Sequence, residues 1–532
     1  MTSTLSAPTR RSAPPGPRGT LLVADRVVTL GHARTDARAV VVRGSRVVWV
    51  GDDPDQAPAH RERHELPGCV IGPAFVDAHL HLTPTGLGLQ GLDLSQVRSS
   101  AELIRALASY AGQHTGRVIW GHGLDPDRVV DALPGPDELS AVAGERTVYL
   151  SRVDGHAALV DRRTLGAAPL ARADGVGHDE DGPTGVLKRE ANHIARRWAV
   201  GSMTTAELAA ARRTAVRTAA ERGLATVHEM ASPDIMGLGD FDAWVTGSWP
   251  IEVVPYWGGL DVGVAIERDL RQIGGDLLLD GSLGSHTAAL AEPYRDRPEI
   301  TGHLELDDET LTHWFVELTR AGLQSAVHAI GDAAVRQVVR CWSAVARRLE
   351  AEGGVDLVRR GRHRIEHAVV LPPDLLDDIA DLGLVISAQP AFEARWGGPD
   401  GMYSRRLGPD RARWTNPFRA LADRGVDLAF GSDANVTEID PWGAVWAAQQ
   451  RPFSEHGVSR LEAVSMSTLG GRSAARQERY VGVVRAGMRA DLAAFEGDPY
   501  EADDPTDTRC VLTIAQGRVA HGEAPLPAAA DH

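Results

Sequence analysis

The sequence predicts an α/β protein: a (β/α)8 TIM-like barrel, a composite β-sandwich domain made from both chain termini, and an inserted cap subdomain. Three observations predict it. Eight short apolar segments (FVDAHLHL, ATVHEM, IEVVPYW, DLLLDGS, LQSAVHAI, HRIEHAVV, LVISAQP and VDLAFGSDA) alternate with Ala/Leu/Arg-rich helical stretches, the rhythm of a parallel barrel. Both chain ends are β-rich, TLLVADRVVTL and AVVVRGSRVVWVG matching VGVVRAGMRADLAAFEG and CVLTIAQGRVAHG. More than a hundred residues separate the first and second barrel segments, enough for a subdomain over the barrel mouth.

Taken in order, residues 1–18 are rich in Pro, Ser, Thr and Arg, lack an apolar run, and read as a disordered tail. Residues 19–72 and 480–522 form the composite β-sandwich, 73–84 and 211–479 the catalytic barrel, and 85–210 the cap. The stretches DETLTHWFVELTRAG and RRTAVRTAAERG end at a glycine ahead of a strand, as helix-to-strand loops prefer.

Composition narrows the function classes. The 532 residues carry a net charge of −16 with 43% hydrophobic content, giving no electrostatic case for nucleic acid or an anionic membrane. Cys69, Cys341 and Cys510 are scattered and odd in number, which suits a reducing cytoplasm better than a disulfide framework. Of the 56 basic residues only Lys188 is a lysine, so any chemistry that requires an amine falls on it.

The stretch AFVDAHLHLTP ends an apolar run in His79 and His81. In a strand, positions i and i+2 share a face, so both imidazoles aim at one spot. Barrel strands bring their C-terminal residues to one mouth. The residues at those ends are His79, His81, His228, Asp280, His328, His367 and Asp433. Imidazoles and carboxylates converging from separate strands suit zinc or a similar divalent ion.

FVDAHLHL, DGSLGSHTAAL, GLQSAVHAIGD, RIEHAVVL and LAFGSDANV resemble the amidohydrolase superfamily. With RVDGHAAL and PTGVL in the insertion, they resemble its exoenzyme-type branch, which includes N-substituted formamide deformylases, over about residues 19–522. The resemblance implies a metal-dependent barrel that hydrolyses a C–N bond other than a peptide bond. It implies that His79, His81 and Asp433 bind one metal. His328 and His367 would bind a second, or serve as third ligand and substrate contact around a single ion. Asp433 would shuttle the proton between the activated water and the leaving amine, with His367 beside it.

The resemblance breaks at one position. Where two-metal members carry a carboxylated lysine, GGDLLLDGSLG has Asp276. Three readings follow: a mononuclear site of His79, His81, His328 and Asp433; a bridge by Asp276; or a carbamate on Lys188 reaching in from the insertion. A single ion is the expectation, with two as the alternative. His228 reads as a hydrogen-bonded neighbour of the ligands. Arg152, Asp154 and His156 form either a substrate-facing motif or an internal brace, and Asp332 reads as structural. Trp257, Trp396, Trp442 and Phe392 follow strand ends and would wall a pocket for an apolar or aromatic group.

The expected partner is therefore a small molecule, with a homodimer compatible and no organic cofactor. Two rival functions carry the same residues. A one-metal deaminase of a heterocyclic amine would need a glutamate at the pocket, and Glu366, next to His367, should face the other side of its strand. A metal-free binding scaffold would explain the missing lysine but not the intact ligands.

Overall fold

The computed structural model describes residues 19–30, 37–170 and 172–527, so the expected tail at 1–18 lies outside the described residues. Eight parallel strands follow one another in chain order. Phe75–Leu80, Leu224–Ala231 and Glu252–Trp257 form one sheet, and Gln272–Leu278, Gln324–Ala329, Arg364–His367, Val385–Ala388 and Leu428–Phe430 form a second. Every neighbouring pair within them is parallel. Their side chains are buried on both faces, which is why the strands read as continuous apolar runs rather than alternating ones.

The edges of the two sheets lie against each other. After the last strand, Asp433 N–H donates to His79 O at 2.7 Å, and His81 N–H donates to Ala434 O at 2.6 Å. Gly431 permits this approach, since a Cβ there would sit 2.5 Å from the His79 nitrogen. At the other edge, Gln272 Nε2 donates to Pro255 O at 2.9 Å. The fourth strand begins four residues earlier than DLLLDGS suggested, because Gly274 and Gly275 continue it at φ of +93° and +88°. Asp276 thus lies within the strand.

Helices close each crossover by local chemistry. In Asp308–Arg320, the Asp307 carboxylate accepts the Thr310 N–H at 2.7 Å, and the helix stops before Gly322 at φ +72°. Its Leu311, Phe315 and Leu318, at i, i+4 and i+7, are buried against the core. Each such side chain stabilises the fold by roughly 1.5–3 kcal/mol, so Phe315→Ala would open the helix–strand interface.

Strands from both ends of the chain share one sheet of seven, in the order Arg518–Gly522, Cys510–Ala515, Leu492–Glu496, His60–Pro73, Gly19–Val27, Ala39–Arg43, Arg46–Gly51. The insertion carries a six-stranded sheet of its own, including Val118–Leu124, Thr147–Arg152 and Ala157–Val160. Among the described residues, no helix is long and apolar enough to cross a membrane. Cys69, Cys341 and Cys510 are buried free thiols.

Candidate metal centre

At the C-terminal ends of the parallel strands, four imidazoles surround two carboxylates. Asp276 Oδ2 lies 3.1 Å from His81 Nε2, while its Oδ1 lies 3.5 Å from His79 Nε2, 3.6 Å from His328 Nδ1 and 3.9 Å from His367 Nε2. Asp433 Oδ1 lies 3.2 Å from His81 Nε2 and 3.7 Å from His79 Nε2. All six residues are buried.

Each ring is tethered through its other nitrogen. Nδ1 of His79 meets Glu366 Oε2 at 2.8 Å, that of His81 meets Met230 O at 2.9 Å, and that of His367 meets Gln389 Oε1 at 2.8 Å. His328 Nε2 meets Gly281 O at 3.3 Å. An acceptor on one nitrogen fixes the N–H there and turns the lone pair of the other towards the carboxylates. Lone pairs facing carboxylate oxygens repel unless a cation lies between them. His79 Nε2, His328 Nδ1, Asp276 Oδ1 and Asp433 Oδ1 are all buried without a hydrogen-bond partner. Tethered neutral imidazoles with two carboxylates form a donor set that fits a divalent cation.

The spacing separates two ligand sets. Four atoms about 2.1 Å from a tetrahedral ion lie about 3.4 Å apart. Contacts of 3.2–3.7 Å from Asp433 Oδ1 to His81 and His79 match that spacing, and Asp276 approaches the same pair with Oδ2 towards His81 at 3.1 Å and Oδ1 towards His79 at 3.5 Å. The set of Asp276 with His328 and His367, at 3.6 and 3.9 Å, is looser. Without a cation, protons supply the positive charge. Burial alone would lower the pKa of both His81 and His367, but Asp276 and Asp433 outweigh it, raising His81 well above its ordinary value and His367 to about 9.

The remaining predicted residues divide. Asp280 accepts the N–H groups of Ala289, Ile330 and Gly331 at 2.8–2.9 Å, bracing the turn that follows the strand of His328. His228 accepts from Arg364 Nη1 at 2.9 Å and lies beneath the ligands, not among them. Asp332 accepts the Ala291 N–H at 3.0 Å. Arg152 and Asp154 are both brace and wall. They pair at 2.6 Å, Asp154 also accepts from Ser282 and Ser285, and both residues line the cavity above the ligands.

That cavity opens to solvent and holds about 100 Å³ of space for water-sized groups. Trp120, His156 and Arg196 from the insertion line it together with His81, His328, His367, Asp276 and Asp433. Burial holds the His156 imidazole down at about pKa 4, hence neutral. Phe392, Trp396, Met402 and Tyr403 make its apolar wall.

Three expectations are corrected. Trp257 packs on Phe241 with ring centres 5.1 Å apart, and Trp442 packs on Phe75, Phe495 and Tyr500 at 5.1–5.4 Å, so neither reaches the cavity. Lys188 is exposed and lines a separate depression with Arg297 and His303, so it does not supply a bridging carbamate. Glu366 does not face away from the site. Its carboxylate lies under it, bonded to His79 and Arg364 and absent from the cavity wall, which leaves it no deaminase role. His367 sits at φ +71°, which breaks strand alternation and lets both residues turn inward. Gln389 and Arg364 carried no sequence signal beyond their position in short apolar strands.

A model of the amidohydrolase family matches residues 65–521. The chain belongs to the amidohydrolase family. It is 30% identical to the protein YtcJ of Bacillus subtilis (strain 168), over 86% of this chain and 90% of that one. The N-substituted formamide deformylase of Arthrobacter pascens is 23% identical over 91% and 94% of the two chains. A crystal structure of an uncharacterized metal-dependent hydrolase from Pyrococcus furiosus superposes with a TM-score of 0.72 at 26% identity, covering 91% of this chain and 100% of that one. This member of the family therefore has the residues of a metal-dependent hydrolase of C–N bonds.

Proposed function

We propose that the protein hydrolyses an amide, formamide or carbamate of a small molecule, using zinc held by His79, His81, Asp276 and Asp433. The observation that carries this reading is the buried, unpartnered His79 Nε2, Asp276 Oδ1 and Asp433 Oδ1, which converge beside His81. A second group, Asp276 with His367, shares His79 with the first, and His328 lies 3.6 Å from Asp276 Oδ1 beside it. This differs from the mononuclear expectation in one respect: Asp276, not His328, completes the tighter set. The two parallel sheets are read as halves of one (β/α)8 barrel, whose mouth holds the ligands.

A divalent ion held by these residues would polarise a carbonyl and lower the pKa of a bound water to about 7. The chain's own residues do the rest. Asp433, which lines the cavity, would take a proton from the attacking water through Oδ2, the oxygen turned away from His79 and His81, and return it to the leaving amine. His367, held by Gln389, flanks that carboxylate, its Nδ1 lying 3.9 Å from Asp433 Oδ2. The insertion's residues close over the reacting group and exclude bulk water. Phe392, Trp396, Met402 and Tyr403 favour an apolar or aromatic N-substituent, in keeping with the formamide deformylase among the relatives.

Zinc titration by calorimetry, followed by assay of formate release from N-aryl and N-alkyl formamides and of the matching acetamides and carbamates, tests the reading. Zinc-dependent cleavage that a chelator abolishes is expected. Failure to bind zinc at micromolar concentration would overturn it.

A further inference from the structure

Only one of the four imidazoles is tethered, through its nitrogen turned away from the site, to a carboxylate. His81 and His328 lean on backbone carbonyls and His367 on a neutral amide, whereas His79 Nδ1 meets Glu366 Oε2 at 2.8 Å. His79 is also the residue common to both groups of side chains able to hold an ion, the one with Asp276 and His367 and the one with His81 and Asp433.

Glu366 is in turn held by a guanidinium. Arg364 Nε donates to Glu366 Oε1 at 2.7 Å and Nη2 to Oε2 at 2.9 Å. The remaining N–H groups of Arg364 reach across the molecule. Nη2 also meets Ala78 O on the first parallel strand at 2.6 Å and Ser387 Oγ on the seventh at 3.0 Å. Nη1 meets His228 Nδ1 on the second strand at 2.9 Å and Tyr256 Oη on the third at 3.0 Å. Tyr256 Oη donates onward to Gln324 Oε1 at 2.8 Å, so towards Arg364 it accepts. Both charged residues are fully buried, at 0% exposure.

An isolated buried carboxylate is costly, and it persists here because a bidentate partner satisfies it. A neutral glutamic acid could not accept from Arg364 and His79 in this arrangement without losing a bond. Lysine could not replace Arg364, since one ammonium cannot fork to Glu366 while reaching four other strands.

We infer that Arg364 is a positioning residue that acts through Glu366 to fix the Nδ1–H form of His79, making His79 the strongest donor of the cluster and setting the protein's affinity for its divalent ion. This rests on the metal-dependent reading above. It goes further by placing the control of affinity about two side chains below the cavity, out of reach of substrate.

Zinc affinity of wild type, Glu366→Gln, Arg364→Met/Glu366→Gln and Arg364→Met/Glu366→Met, measured by competition with a chelator, tests it. Melting of each metal-free protein and the visible spectrum of each cobalt form are recorded alongside. Glu366→Gln should weaken zinc binding ~10–100-fold, as loss of such a partner typically does. Adding Arg364→Met to Glu366→Gln should weaken it little further, because both act on one nitrogen. The Met/Met pair removes both charges together, keeps the interior neutral and foldable, and should weaken zinc binding as Glu366→Gln does. The cobalt spectrum should shift in all three variants.

Unchanged zinc affinity and an unchanged cobalt spectrum in folded Glu366→Gln would overturn the inference, even if melting drops. A further large loss on adding Arg364→Met would also overturn it, since Arg364 would then act by another route. Wild type that binds no zinc would overturn the metal reading itself, and this inference with it.

Discussion

Two buried ionic clusters, at opposite ends of the parallel strands, show what distinguishes a support from a reactive centre. At the N-terminal end, Arg472 donates to Glu252 at 2.7 Å and to Asp491 at 2.5 Å, and Arg489 reaches the same two carboxylates at 2.5 and 2.6 Å. Gln477 Nε2 and Thr226 Oγ1 complete Glu252, and the Gln516 N–H completes Asp491. No side-chain oxygen or nitrogen of these four charged residues is buried without a partner. At the C-terminal end, two carboxylates face four imidazoles and four polar atoms stay unpartnered. The first cluster is closed by the chain alone; the second leaves a cation-shaped deficit. Arg472 and Asp491 are as buried as the imidazoles and carboxylates of the second cluster, so burial of charge alone does not mark function. Incomplete satisfaction does.

The largest expected effect breaks the open cluster. His81→Ala should lower zinc-dependent hydrolysis by about 10⁴-fold and remove the tighter ion, read by metal analysis beside the formate assay, with the metal-free fold intact. Breaking the closed cluster should do the reverse. Arg472→Met leaves Glu252 and Asp491 short of a buried partner and should cost about 3–5 kcal/mol of stability in denaturant titration, with zinc stoichiometry unchanged.

Acid separates the clusters more gently. Burial would raise the Glu252 pKa, but Arg472 and Arg489 outweigh it and hold the carboxyl at about 2. Unfolded, it titrates near about 4.3. Its contribution is thus complete above pH ~4.3 and lost as pH falls towards ~2, on the order of 2–3 kcal/mol. Stability curves of wild type and Glu252→Gln should differ in slope within that window and run parallel above it.

On the cavity wall, Trp396→Ala should cut the preference for aromatic over small N-substituents by roughly tenfold, read as a ratio of kcat/KM, without altering metal content. The smallest effect is Lys188→Ala, for which metal content and hydrolysis should both equal wild type. A loss of metal there would reinstate the carbamate bridge.

Much of this site was legible in the chain. His79, His81, His328, His367 and Asp433 were found because strand ends converge, and that rule needs only strand order. Asp276 was found as a departure from the motif, and it is placed among all four imidazoles. What escaped is what depends on backbone detail. Strand alternation put Glu366 on the wrong side because His367 adopts a left-handed conformation that no local residue type announced. Trp257 and Trp442 were sorted by loop position, yet a side chain at a strand end can pack outward on helices as readily as inward. The wall residues of the insertion could not be separated from its interior by sequence, since Arg152 serves both.

The near-absence of lysine has a practical consequence. Lys188 reaches solvent at the start of the helix Arg189–Gly201 within the insertion, and partial burial of its side chain together with the Arg152 charge lowers its pKa, favouring the reactive free amine. An amine-reactive dye therefore has one side-chain address in 532 residues, besides the chain's own α-amino group. A fluorophore attached there sits on the segment that roofs the cavity. It would report on that segment with no residue substituted.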